Sequence, residues 1–349
     1  MNIIQITSAK SWGSSERYML DICRGLRAEG HSVTAITKNV DAVKEPFKSC
    51  GIQVVTMPLL GAVDIVSPVR LAKLLRDIRD ERIIIHVHNF VDAAIASRAR
   101  TLAPEANVKI VVTRHISSPA KNTSPATAIY DDIDAMIVNS DYVKARFIST
   151  APKIESGKIH VISPATQRFS EISAVQSVRD SEILTLLFAG AITPEKGLSN
   201  LIESLSAGCK NRMRLIVAGQ GEGPTVMPLI RAARHSGVAD MVEWRGDVPD
   251  VEKLIDTADA VILPHTGTEL YDWMITATRT YGLPAIASDI PVHRELLPAE
   301  STIFFTPGST ASLTDAIGKM TEQGRRQSHP DATMFPTFIA SVISLYSNI

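Results

Sequence analysis

The sequence predicts an α/β protein built as two consecutive parallel-sheet domains, and three observations carry that prediction. Short apolar runs alternate with amphipathic stretches of about 10 to 15 residues, the pattern of strand–helix–strand crossovers that cover a parallel sheet on both faces. The pattern completes one cycle, stops at a polar stretch from Ser170 to Ser181, and begins again. The length, 349 residues, is about twice that of a usual single domain.

In order, Ile3-Ile4-Gln5-Ile6 reads as a strand, followed by a Gly/Ser loop and a helix from Glu16 to Glu29 that stops at Gly30. Strands are predicted at Ser32–Thr37, Ile52–Met57, Ile83–His88, Val108–Thr113 and Ala135–Asn139. Between and after them come helices at Asp41–Ser49, Pro68–Asp80, Ala93–Thr101 and Asp141–Thr150. The second cycle gives strands at Ile183–Phe188, Arg214–Ala218, Val242–Trp244, Ala260–Leu263 and Ala285–Ala287. Its helices are Gly197–Ser206, Pro224–His235, Val251–Asp256 and Asp272–Tyr281. Phe335, Phe338, Ile339, Val342, Ile343 and Tyr346 recur at helical spacing, which makes the last segment a docking helix. The domains are therefore expected at 1–168 and 169–328, with 329–349 as a helix crossing back to the first. Active-site loops belong at the carboxyl ends of the strands, with a cleft between the halves.

Composition narrows the function. With 45% hydrophobic and 21% charged residues the chain can fill real cores, which excludes a disordered chain. No apolar run reaches the ~18 residues of a bilayer span, and MNIIQIT lacks a basic leader region, so the expected compartment is the cytoplasm. Cys23, Cys50 and Cys209 are scattered and make neither a disulfide framework nor a zinc site. A net charge of -1 argues against nucleic acid as a partner. The total hides an asymmetry: residues 1–165 carry 21 basic against 16 acidic side chains, and the remainder 15 against 21. Arg70, Lys73, Arg76 and Arg79 share about half of one predicted helix in the basic half, so a peripheral contact with an anionic membrane face is expected there, against the plainer reading of a solvated face.

Several loops, taken in order, resemble the retaining, nucleotide-sugar-dependent glycosyltransferases of the GT-B fold, the group 1 class that includes bacterial lipopolysaccharide and capsule glucosyl- and mannosyltransferases. The likeness runs through Gly13-Ser14-Ser15-Glu16, Gly30-His31-Ser32-Val33-Thr34, His86-Val87-His88-Asn89, Thr113-Arg114-His115 and Val138-Asn139-Ser140. It continues through Phe188-Ala189-Gly190, Glu195-Lys196-Gly197, Val217-Ala218-Gly219-Gln220-Gly221 and Trp244-Arg245-Gly246-Asp247-Val248. Leu263-Pro264 with Glu269, and Gly282-Leu283-Pro284 through Asp289 with Glu295, complete it. The fold implied is GT-B, two Rossmann-like domains facing a central cleft. The activity implied is transfer of a hexose-type sugar from a nucleotide diphosphate sugar to a hydroxyl of a glycan or lipid-linked acceptor, in bacterial surface polysaccharide synthesis. No cofactor or metal is implied beyond the nucleotide sugar as co-substrate.

A donor diphosphate needs helix amino-terminal amides and a fixed cation, which Gly190 and the Lys196-Gly197 turn offer after a strand. The resemblance makes His115, Lys196 and Glu269 the catalytic candidates, with His115 beside the donor sugar and Glu269 at its phosphate end. It adds Gly13, Ser14, Gly190, Gly219, Gly221, Gly246 and Val248 to the donor site, and Glu16, His88, Arg114 and Lys121 as acceptor-side candidates.

Two positions depart from the family. Ala191 stands where an arginine is usual, and Ala277 where a second acid holds the ribose hydroxyls. Losing that acceptor costs about 2 to 3 kcal/mol, so either the ribose is held differently or ordinary donor turnover is lost. A non-catalytic GT-B subunit is the alternative from another class, and a sugar-nucleotide epimerase a further one. Gly219-Gln220-Gly221-Glu222-Gly223 lacks the glycine spacing of a dinucleotide site. His86 and His88 face one way but show no third metal ligand, and Asp132-Ile133-Asp134 reads as helix-end acidity.

Overall fold

The computed structural model describes residues 1–78, 82–115, 123–150, 153–167, 183–208, 213–221, 223–248, 251–267, 272–323 and 330–349. It divides into two compact units: Met1–Gln167 with Glu269–Trp273 and Thr333–Ile349, and Arg168–Thr268 with Met274–Ala332.

The amino unit runs β1 (Asn2–Thr7), α1 (Ser14–Ala28), β2 (Ser32–Thr37), α2 (Asp41–Ser49), β3 (Gln53–Thr56), α3 (Val66–Asp77), β4 (Ile83–Val87) and α4 (Ala93–Leu102). It continues with β5 (Val108–Arg114), α5 (Ser124–Asp132), β6 (Ala135–Val138), α6 (Asp141–Ser149) and β7 (Ile159–Val161). All its strand pairs are parallel, in the order β3-β2-β1-β4-β5-β6-β7. Residues Ile83, Ile84, Ile85 and Val87 are fully buried, as an unbroken apolar run on a sheet covered on both faces requires.

The carboxyl unit runs β8 (Leu184–Ala189), α7 (Leu198–Gly208), β9 (Met213–Ala218), α8 (Gly223–His235), β10 (Val242–Gly246), α9 (Val251–Ile255), β11 (Ala260–Leu263) and α10 (Trp273–Tyr281). After α10 come β12 (Ala285–Ser288), α11 (Pro291–Leu296), β13 (Thr302–Phe305) and α12 (Thr310–Gln323). Its sheet is again parallel, ordered β10-β9-β8-β11-β12-β13. The last helix, α13 (Met334–Asn348), belongs to the amino unit and buries Phe338, Ile339, Val342, Leu345 and Tyr346.

Two differences from the sequence reading have local causes. Helix α3 starts at Val66 rather than Pro68 because the Asp64 carboxylate accepts from the Val66 and Ser67 amides, at 2.9 and 2.8 Å, so the proline sits in the first turn where its missing N–H costs nothing. Trp273 groups with the amino unit, not with the contiguous stretch 169–328, because its indole N–H donates to Asp21 at 3.1 Å and the Arg17 guanidinium lies 5.0 Å from its ring centre.

In each sheet the strand order reverses direction once, between β1 and β4 and between β8 and β11. Loops leaving the carboxyl ends of those strands diverge, and that divergence leaves room for a ligand. The candidate residues of each unit lie at the carboxyl ends of these strands and of β5, β9 and β10.

Candidate functional site

In the carboxyl unit the loops after β8, β9 and β11 are drawn together by backbone contacts. The Gly190 amide donates to Ala218 O (2.9 Å), Ile192 N to Gln220 O (2.8 Å), Gly219 N to Gly246 O (2.7 Å) and Thr266 N to Glu195 O (2.9 Å). Such approach leaves no space for side chains: a Cβ on Gly219 (φ +154°) would lie 1.8 Å from Gly190 O, and one on Gly197 (φ +73°) 1.8 Å from Pro264 O. Gly190, a donor-site candidate in the sequence, has its amide paired with the Ala218 carbonyl, and the clearance beside the Gly190 carbonyl comes from Gly219. A Cβ on Gly221 would crowd Ile192 and Val226, at 2.8 and 2.7 Å. Gly246 closes β10 at φ +64°, with half-buried Val248 two residues on.

Lys196 stands in the turn just before α7 and is 7% exposed. Its Nζ lies 3.3 Å from Nε2 of buried His265, at the end of β11. His265 Nδ1 lies 3.1 Å from His293 Nε2, and His293 Nδ1 lies 2.8 Å from the Ser288 carbonyl that ends β12. Thr193 Oγ1, on the Lys196 loop, is shielded from solvent without a partner. Sequence reading found Lys196 and missed both histidines. The signal was there: each follows a strand end, His265 directly after Pro264, but nothing in the chain announces that positions 28 residues apart meet. Glu269 lies outside the described residues, as does Lys121. Ala277 is fully buried in α10, while Ala191 is exposed.

The amino unit gathers a second polar cluster at the ends of β1, β4 and β5. Parallel register sets His88 beside Ile6, whose carbonyl accepts from the His88 amide at 3.0 Å, so side chains from β1 and β4 meet. Asn89 donates to Thr7 Oγ1 (3.1 Å) and Thr7 donates to Glu16 Oε1 (2.9 Å), with Ser15 also donating to Glu16. Glu16 is 3% exposed, and burial raises its pKa despite these donors. Gly13 precedes α1 and its carbonyl accepts from Arg17 N, with Ser14 opening the helix half-buried. Asp92 receives the Ser8 amide at 2.9 Å on one oxygen, its other oxygen has no partner, and burial pushes its pKa up to about 6.

His86, His88 and His115 form a chain of rings. Tyr346 OH and Thr113 Oγ1 each lie 2.6 Å from the two nitrogens of His86. His88 Nε2 meets Gln5 Oε1 at 2.7 Å, and His88 Nδ1 meets His115 Nε2 at 3.4 Å, with Tyr18 packed edge-on 4.9 Å from the His115 ring. Burial drives the pKa of His86 and His115 down to about 3 and that of His88 well down, so all three are neutral near pH 7. His88, an acceptor-side candidate in the sequence, is 3% exposed and both its nitrogens are engaged inside the protein. His115, half-buried, is the member of the chain nearest the surface. Arg114 is half-buried, its guanidinium 4.6 Å above the Phe147 ring.

Comparison with known proteins agrees with this geometry. The model for Glycosyltransferase Family 4 matches residues 15–166 and that for Glycosyl transferases group 1 matches residues 184–323. Taken together these span most of the chain, which belongs to the group 1 glycosyltransferases of GT-B fold. Among solved structures it is similar to HepE of Anabaena in complex with UDP, at 17% identity, 100% coverage of both chains and a TM-score of 0.80. It is also similar to a glycosyltransferase of Rickettsia africae, at 17% identity, covering 99% of this chain and 97% of that one, with a TM-score of 0.77. The lipopolysaccharide outer core galactosyltransferase WaaB gives 15% identity, 99% and 100% coverage, and a TM-score of 0.68. No curated protein matches the chain.

Proposed function

We propose that this glycosyltransferase moves a hexose-type sugar from a nucleotide diphosphate sugar to a hydroxyl of a glycan or lipid-linked acceptor, with retention and without a metal, in bacterial surface polysaccharide synthesis. One observation carries the reading: a buried lysine, Lys196, stands immediately before α7 at the reversal point of the carboxyl sheet. The first amides of a helix have no intrahelical partner and the helix dipole favours an anion there. A diphosphate seated at that turn meets both the amides and a cation, and the same groups stabilise charge as the diphosphate leaves. The leaving phosphate oxygen then takes the proton of the attacking hydroxyl, so no side chain need form a covalent intermediate. Glu269 completes the phosphate end in this reading. His115, held neutral, is suited to donate a hydrogen bond rather than to repel a cation. Gly13, Ser14, Glu16 and Arg114 serve the amino-unit side.

HepE is solved in complex with UDP and with UDP-glucose, so a UDP-sugar leads the candidate donors. The test is thermal stabilisation by millimolar UDP, GDP, ADP and CMP, on the natural chain and on Lys196→Ala and Glu269→Ala. Ligand at 100 times its Kd adds about 2.7 kcal/mol, which registers even for a weakened pocket. A base-selective shift absent from both variants supports the reading. No shift with any nucleotide favours a second one, a non-catalytic subunit, which the buried methyl group of Ala277 in place of a ribose-binding acid supports.

Among the described residues no helix is long and apolar enough to cross a membrane. For the acceptor side we propose a peripheral contact with an anionic membrane on the cytoplasmic face. Leu60, Val63, Ile65, Val66 and Val69 are 48 to 80% exposed within ten residues, and exposed Arg70 and Lys73 follow on α3. Apolar side chains beside cations suit the boundary between acyl chains and anionic headgroups. Arg76 is less available, since it is paired with Glu105 at 3.0 Å.

A further inference from the structure

We propose that His265 and His293 are positioning residues for Lys196, forming a directed hydrogen-bond chain that fixes the ammonium. The inference rests on the reading of Lys196 as the diphosphate ligand and adds to it two residues from other loops.

The polarity of the chain follows from its ends. The Ser288 carbonyl can only accept, so His293 Nδ1, 2.8 Å away, carries a proton. An ammonium can only donate, so His265 Nε2, 3.3 Å from Lys196 Nζ, presents its lone pair. Between them, His265 Nδ1 and His293 Nε2 are 3.1 Å apart, and one must donate to the other. With both ends fixed, His265 donates from Nδ1 and His293 accepts at Nε2. Both imidazoles are then neutral and both carry their proton on Nδ1.

A second arrangement holds the same total charge. Lys196 would be a neutral amine, His265 would donate to it from Nε2, and His293 would hold the extra proton on Nε2. Two facts oppose it. An alkylamine is more basic than an imidazole by about four pKa units. Moreover, His293 is fully buried and His265 only 1% exposed, so a cation there loses its hydration. The charge therefore stays at the Lys196 end.

Such an arrangement fits the task. A lysine side chain loses rotamer entropy when immobilised, and a preformed acceptor removes that cost before the donor arrives. A neutral imidazole holds the ammonium without adding a counter-charge of its own. The support is rigid, because His293 opens on the carbonyl that ends β12 while His265 follows Pro264, whose carbonyl packs against the Gly197 backbone.

The experiment combines a tautomer measurement with binding. Nitrogen NMR on the full chain labelled at histidine should show Nδ1 protonated and Nε2 bare in both rings, and a protonated Nε2 on His265 overturns the chain. Calorimetry with inorganic diphosphate, which is independent of the base, and with UDP should show His265→Leu and His293→Phe binding diphosphate roughly 10-fold or more weakly. His265→Gln, which keeps an acceptor, should stay within about 3-fold of the natural chain. Equal binding by natural chain and His265→Leu overturns the positioning role alone. A natural chain that binds neither probe, with the tautomers as stated, overturns the assignment of Lys196 to a diphosphate while the hydrogen-bond chain stands. Loss of binding in both the Leu and Gln variants, with folding intact, shows a need for the ring itself and overturns the acceptor account.

Discussion

Lys196 and its neighbours illustrate how much of a site is set by clearance. The Gly197 and Gly219 backbones touch carbonyl oxygens that a Cβ would overlap at 1.8 Å, and both lie at positive φ. Gly197→Ala should therefore cost at least about 3 kcal/mol, seen as a lower urea midpoint, whereas Gly30→Ala, with open space around it at φ +81°, should cost only about 1. Equal costs would show that the close approach to Pro264 does not constrain the loop. The buried histidines make a second prediction at this scale. His86 titrates at about 3 in the folded chain and near 6.5 unfolded, so between those values the unfolded state binds more protons and stability rises with pH. Acidification from pH 6.5 should weaken the chain by up to roughly 1.4 kcal/mol per pH unit for each ring that stays neutral. Urea melts at pH 5 and 7 measure it, and His86→Gln should flatten the slope.

Helix ends and faces decide the next level. Ser140 Oγ accepts the Val143 amide at 3.1 Å and starts α6, so Ser140→Ala should lower stability by about 1 kcal/mol in thermal melts. The segment before α3 is a different case. Its apolar residues Val63 and Ile65 are 80 and 78% exposed, and nothing in the fold requires them outside. Val63→Asp with Ile65→Asp should leave the melting temperature within about 2 °C yet abolish co-sedimentation with vesicles containing phosphatidylglycerol, and unchanged sedimentation would remove the membrane contact from the reading. The sequence reading lacks α5 and α12, of nine and 14 residues, and also β7, β13 and α11, which are only three, four and six residues long. Such short pieces carry too little periodicity to stand out. Helix α12 is absent from the sequence reading although Leu313, Ala316, Ile317 and Met320 recur at helical spacing and are all buried.

At the scale of the whole chain, α13 closes the amino unit from a distance of more than 250 residues. Tyr346 OH lies 2.6 Å from His86 and accepts from Gln5 at 3.3 Å, and Arg82 donates to the Ser347 carbonyl at 2.7 Å. Deleting 334–349 exposes the apolar face of α1 and strands two buried polar side chains, so the amino unit should become sensitive to limited proteolysis. Diphosphate binding should survive, because Lys196, His265 and His293 lie within the carboxyl unit. Persistent protease resistance would show that α13 contributes little. The sequence by itself determined the two α/β cycles, most strand and helix positions and the docking character of the last segment, because periodicity and strand-end placement are local properties of the chain. Tertiary structure decided the rest: that the Gly190 amide pairs with Ala218, that His88 is buried between Gln5 and His115, and that Lys196 meets His265, which in turn meets His293. These depend on which loops a parallel sheet brings together, and that is fixed by strand order rather than by any neighbouring residue.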